Sequence, residues 1–139
     1  FIVIDRAAMK PLADLAQARG EALGLDAEQI NKGRGQFDQG HLAVAVIEVQ
    51  KSSEKIPALE QTYSAGAVCL ALLNAALASG WGANWLSGWA SHNRDFCTEA
   101  LALAPHETVA GIVHIGTGPA QMPDRPRPDV TALTQWLHE

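Results

Sequence analysis

Charge is scarce in this chain: Asp, Glu, Lys and Arg supply 18% of 139 residues, while 47% are hydrophobic. The ten Lys and Arg are scattered, and the formal net charge is -5 at pH 7. The cationic stripe that a phosphate backbone requires is therefore missing, which excludes nucleic acid as a partner. Cysteine is scarcer still. Cys69 and Cys97 are the two present; neither belongs to a C-x-x-C pair and both stand in apolar segments of helical pattern, which points to a reducing cytoplasm rather than a disulfide framework. No secretory signal pattern opens the chain. His41, His92, His106, His114 and His138 contain no i, i+4 pair, so the common helical metal site is not encoded. Ser64 and Ser87 lack a G-x-S-x-G context and Cys69 has no nearby base, which leaves acyl transfer without a nucleophile.

What is present is apolar and periodic, enough for one domain spanning residues 1–139. Phe1 to Ile4 is a continuous apolar run with the pattern of a strand buried on both faces. It reads as the middle of a fold, with further N-terminal sequence expected before Phe1. Asp5 can cap a helix whose apolar positions run from Ala7 to Leu23, with Gly24 as its stop. Asp26 and Gln29 have the spacing of a capping box for a second helix, expected to fail by Gly33 and Gly35, so that residues 32–41 read as a loop. Leu42 to Val49 reads as a central strand.

Pro57 opens the longest helix, to Ser79. Between Ala65 and Ala78 it is apolar on every face except at Asn74, so it should be buried all round, in the core or at a subunit interface. The apolar run is shorter than the roughly 20 residues of a transmembrane span and follows Glu60 and Gln61, which argues against a membrane. Ala83 to Leu86 reads as a short strand. Asn93 or Ser91 can cap a helix through Leu101, Thr108 to Thr117 is β-branched and strand-like, residues 119–128 form a proline-rich tail, and 130–137 give a last turn that docks the C-terminus. Helices alternating with strands make an α/β domain. His114, inside its strand, reads as a core histidine.

The stretch Gly80-Trp81-Gly82-Ala83-Asn84-Trp85-Leu86-Ser87-Gly88 stands out. Its glycines let main-chain amides approach a flat ring or phosphate, and an indole can wall the apolar side, although a helix stop followed by a Trp-rich core turn has the same composition. Its G-x-G follows a helix and lacks a third glycine, so it is no dinucleotide fingerprint.

Three phrases in order, Gln61-Thr62-Tyr63-Ser64-Ala65-Gly66-Ala67-Val68, Gly80 to Gly88, and Val109-Ala110-Gly111-Ile112-Val113-His114-Ile115-Gly116-Thr117, resemble the FMN-dependent nitroreductase family in its small single-domain form. Phe1 to Ile4 resembles the strand after that family's Pro-Trp pair, and Pro123 to Pro128 its tail. The resemblance implies the α/β (α+β) nitroreductase fold, a central mixed sheet flanked by helices, with the long buried helix at a homodimer interface. It implies a flavin oxidoreductase passing hydride from NAD(P)H through FMN to a nitroaromatic, quinone or similar small-molecule acceptor, with no catalytic side chain of its own. By the family motif Trp85, Leu86, Ser87 and Gly88 would contact FMN, a backbone amide of this loop lying near the flavin N5 and O4; Arg127, with Arg125, would reach toward the phosphate. Ala76, Leu77, Ala78, Ser79, Gly80 and Trp81 match the stretch associated with the nicotinamide nucleotide. Family members begin with a helix carrying an Arg-Arg-Ser type phosphate motif, which these residues do not include. The alternative is a relative that binds flavin or another small molecule as a non-catalytic dimer.

Overall fold

Four short apolar segments form one antiparallel sheet: β1 (Ile2–Ile4), β2 (Leu42–Val49), β3 (Gly82–Leu86) and β4 (Glu107–Gly116), in spatial order β1-β2-β4-β3. The computed structural model describes residues 1–118 and 125–137. Every strand pairing in it is antiparallel, where a mixed sheet was expected. The strand β1 pairs with β2 and lies at the sheet edge, so Val3 faces solvent and the expectation of burial on both faces fails.

One face of the sheet carries α1 (Arg6–Ala22), α2 (Ala27–Asp38), the single turn α4 (Trp89–His92) and α5 (Arg94–Leu101). The caps are those the sequence announces. Asp5 accepts from Ala7 and Ala8 N–H, Asp26 and Gln29 form a reciprocal capping box, and Asn93 accepts from Phe96 N–H. Ala102 closes α5 in the left-handed region, at φ 53°. Ile4, Met9, Ala13, Phe37, Ala43, Ala45, Phe96 and Ile112 fill the core of this layer. Arg34 ties α2 to Asp14 and Gln17 of α1, and Arg19 ties α1 to Glu99 of α5; open to solvent screening, such pairs add little to stability.

The second helix runs through Gly33 and Gly35 to Asp38, where a loop was expected. At Gly33 the reason is packing: a Cβ there would stand 2.3 Å from Trp89 Nε1. The indole lies against the bare backbone, donating to Gln29 O at 3.0 Å and meeting Phe96 edge-on at 6.3 Å. The gain from seating Trp89 exceeds the roughly 1 kcal/mol that a glycine costs a helix.

The other face carries α3 (Ala58–Ala78) alone, over β2, β3 and β4. Cys69, Val46 and Val113 make a second, smaller core beneath it. Its outward side is uncovered. Leu59, Tyr63, Leu70 and Leu77 are each about half or more exposed, so among the described residues the helix is not buried all round; its low amphipathicity reflects a second apolar face with no partner among them. Among the described residues it is also the one helix whose length and composition would allow a membrane span. After Gly118, residues 119–124 of the proline-rich tail lie outside the described residues. The last turn, α6 (Val130–Leu133), leaves Leu133, Trp136 and Leu137 exposed, so it does not dock the C-terminus against this chain.

Candidate functional site

Side chains of β3 and β4 alternate between the two faces. Ala83, Val113 and Ile115 turn toward α3; Asn84, Leu86 and His114 turn the other way, toward the C-terminal half of α2. There a cavity of about 390 Å³ opens, within the ordinary range of small-molecule sites. Its walls are Gly35, Gln36, Gln39 and Gly40 from the end of α2, Leu42 and His114 from the sheet, and Asn84 and Leu86 from β3. None of the chain's Lys or Arg lines it. Polar but uncharged groups therefore face a largely apolar hollow.

His114 sits between Ala43 on β2 and Asn84 on β3. Its Nε2 is buried and makes no hydrogen bond, and burial holds its pKa below the ordinary histidine value, so the imidazole is neutral near pH 7. An orphaned buried polar atom costs about 1–3 kcal/mol. It was expected to be a core histidine; the structure makes it half-buried and a wall of the cavity instead. The signal available was a single polar residue within the apolar run from Val109 to Ile115. Gln36 and Gln39 were missed because a loop was read where α2 continues.

The expected flavin contacts are only partly gathered here. Leu86 lines the cavity. Ser87 is exposed just beyond it, and Gly88 caps α4 with its own N–H giving no turn, loop or cap hydrogen bond. Gly88 is in extended backbone, and a Cβ there would meet nothing within 4 Å; neither conformation nor packing in this chain demands glycine, whereas close approach of a ligand would. Trp85 faces the α3 side, its indole pressed on Gly111, where a Cβ would fall 1.9 Å from Nε1. It is a packing residue and lines no part of this cavity. Arg127 lies in the extended segment before α6, exposed and not among the lining residues.

The expected nucleotide stretch divides. Leu77 lines the cavity just described, while Ala76, Ser79 and Trp81 line a second groove of about 600 Å³ between the end of α3 and β4. Ala78 and Gly80 line neither. Ser79 Oγ is engaged by Ala75 O at 2.8 Å and Gly80, at φ 83°, makes the turn off the helix. The two thiols offer no chemistry: burial raises both pKa values, Cys97 despite Arg94 nearby, and the Cys97 thiol donates weakly to Ala90 and Ser91 carbonyls. No group of His, Cys, Asp and Glu fit to hold a metal occurs among the described residues.

A protein named as an NAD(P)H nitroreductase, YdjA of Escherichia coli K12, is 28% identical to the chain over 117 residues, covering 84% of the chain and 63% of YdjA. A similarly named protein of Haemophilus influenzae is 29% identical over 120 residues, covering 85% of the chain and 64% of that protein. Among solved structures, a nitroreductase-like family protein from Bacillus cereus superposes with TM-score 0.71 at 18% identity, over 98% of the chain and 71% of its own. The chain is nitroreductase-like in sequence and fold. A nitroreductase-type protein from Desulfovibrio desulfuricans, solved in complex with FMN, matches with TM-score 0.65 at 22% identity, over 99% of the chain and 72% of its own. No family model matches the chain. The nitroreductase-like chain spans 63% of the length of YdjA.

The residues present fit the ring part of FMN. The glycine-rich rim, the unpartnered Gly88 N–H and the orphaned His114 Nε2 are features a flat hydrogen-bonding ring would satisfy. They do not supply a cation for its phosphate.

Proposed function

We propose that this chain belongs to an NAD(P)H-dependent flavin oxidoreductase of nitroreductase type, acting as a homodimer in the cytoplasm on a nitroaromatic, quinone or similar acceptor. The observation that carries the reading is the uncharged cavity beside the Leu86–Gly88 turn, in a chain with nitroreductase sequence and fold likeness. Leu86 would wall the FMN ring, and the Gly88 N–H would face the ring edge on which negative charge develops, an electrostatic contribution of oxyanion-hole type. When bound, FMN supplies the hydride chemistry between NAD(P)H and the acceptor. Ala76, Ser79 and Trp81 would offer the nicotinamide nucleotide an apolar groove with an indole at one end. The uncovered face of α3 would be closed by the same helix of a second copy, since its small residues, Ala67, Ala71 and Ala78, permit close approach of another helix.

A second reading, a flavin-binding dimer without turnover, is favoured by the lack of a cation along the cavity. One optical experiment separates the two. The purified chain is mixed with FMN, passed through a desalting column and supplied with NAD(P)H. Retained flavin with NAD(P)H oxidation supports the reductase, retained flavin without oxidation supports the binding dimer, and a colourless protein contradicts both. Replacing Gly88 by Trp should lower flavin retention, because its side chain would occupy the open space over the turn.

A further inference from the structure

Of the β4 side chains turned toward the α2 layer from Val109 onward, Val109, Ile112 and His114, only the last is polar. On one side its strand neighbour is Ala43, a methyl group; on the other it is Asn84. Directly opposed residues of antiparallel strands hold their Cβ atoms about 4.5–5.5 Å apart on the same face, so imidazole and amide stand side by side on the cavity wall. A neutral imidazole carries one donor and one acceptor, and an amide carries both kinds. His114 Nε2 has no partner, and Asn84 makes no side-chain hydrogen bond among the described residues. Gln36, across the cavity, gives one amide N–H to Gly33 O at 3.3 Å and keeps its carbonyl oxygen available. No Asp, Glu, Lys or Arg lines the hollow among the described residues. The pattern matches the edge of a flat molecule that is uncharged and bears a donor flanked by acceptors.

We propose that His114 and Asn84 read the imide edge of the flavin, the ring N–H between two carbonyls, and that this cavity selects the uncharged ring system rather than the phosphate. The proposal rests on the flavin reading above and adds two residues and a ligand preference to it. It assigns to His114 a positioning and specificity role, with no proton transferred. Because no Lys or Arg reaches the cavity, riboflavin should bind as well as FMN.

The test is a fluorescence titration of the purified chain with FMN and with riboflavin, repeated on His114→Phe, which keeps a flat ring without hydrogen bonds, and on His114→Gln, which restores a donor and an acceptor. For the native chain the two affinities should agree within about threefold, since a phosphate held by a cation would separate them by about a hundredfold. His114→Phe should weaken both by about tenfold, with His114→Gln recovering part of the loss. FMN bound a hundredfold more tightly than riboflavin would overturn the ligand preference. Unchanged affinity in a folded His114→Phe protein would overturn the role of His114 and leave the flavin reading standing. Should that variant fail to fold, Asn84→Ala carries the same readout, and unchanged binding there refutes the edge-reading pair. A native chain that binds neither flavin overturns the inference together with the proposed function.

Discussion

Gly33 and Gly35 lie two residues apart in α2, yet replacing each by Ala should shift stability in opposite directions. Both variants gain about 1 kcal/mol from helix propensity and from the reduced freedom of the unfolded chain. At Gly35 nothing lies within 4 Å of the new Cβ, so the gain survives. At Gly33 the Cβ would stand 2.3, 2.6 and 2.7 Å from three atoms of the Trp89 indole, so the ring must move. Overpacking of this kind costs about 1–3 kcal/mol, and the Trp89 bond to Gln29 O, 3.0 Å long, adds about 1 kcal/mol when lost. The net for Gly33→Ala is a destabilisation of about 1–3 kcal/mol, or about 4–10 °C in a domain of this size. Urea unfolding followed by circular dichroism measures both variants on one scale, and tryptophan fluorescence reports the displaced indole directly. Trp89 follows Gly88 in sequence, so Gly33→Ala should also weaken flavin retention. A stabilised Gly33→Ala protein with native tryptophan emission would refute the packing argument.

Ala71→Asp places a carboxylate on the exposed face of α3; if two copies close that face, an unpaired buried charge costs about 3–5 kcal/mol and raises the dissociation constant by more than about a hundredfold. Sedimentation velocity should show a dimer for the native chain and a monomer for the variant, and a variant sedimenting as a dimer contradicts the assigned surface. His114 gives a pH signature. Its pKa is lowered in the folded state by burial, so the unfolded chain binds the proton first; the native chain keeps full stability above the ordinary value of 6.5 and loses it as pH falls from there through the lowered pKa. In denaturation midpoints measured from pH 8 down to about pH 5, the native protein should lose stability relative to His114→Phe within that window. Parallel profiles would mean that the imidazole is not held neutral.

Much of this is legible in the sequence. Asp5, the Asp26–Gln29 box and Asn93 announce three helix starts because a side-chain oxygen facing orphan N–H groups is a local interaction. The aliphatic run from Leu42 to Val49 gives β2 its bounds for a similar reason. What stayed hidden depends on residues distant in sequence. The continuation of α2 through two glycines is decided by Trp89, more than fifty residues away. The edge position of β1 depends on strand order, which three apolar residues do not specify. The cavity was half visible: the turn at Leu86 to Gly88 carries a recognisable motif, but the opposite wall, Gln36 and Gln39, looked like loop, and His114 like core. Trp85 and Trp81 look alike in sequence, yet one lies within β3 and packs on Gly111 while the other precedes β3 and borders a groove at the end of α3.

Between Val109 and Gly111 the ladder to β2 skips a residue: Ile47 pairs with Val109 and Val46 with Gly111, leaving Ala110 unpaired. A strand with two-residue periodicity is a text read in one of two frames, and this extra residue is a frameshift. Upstream of it the odd-numbered Val109 belongs to the α1–α5 core; downstream, the even-numbered Ile112 and His114 take that side, and Val113 and Ile115 go under α3. Forcing Ala110 to pair with Val46 in an unbroken ladder would exchange the two readings, sending an imidazole beneath an apolar helix and Val113 and Ile115 toward the cavity side. Leaving Ala110 out of the pairing is what keeps the core's message and the cavity's message in register on the same ten residues.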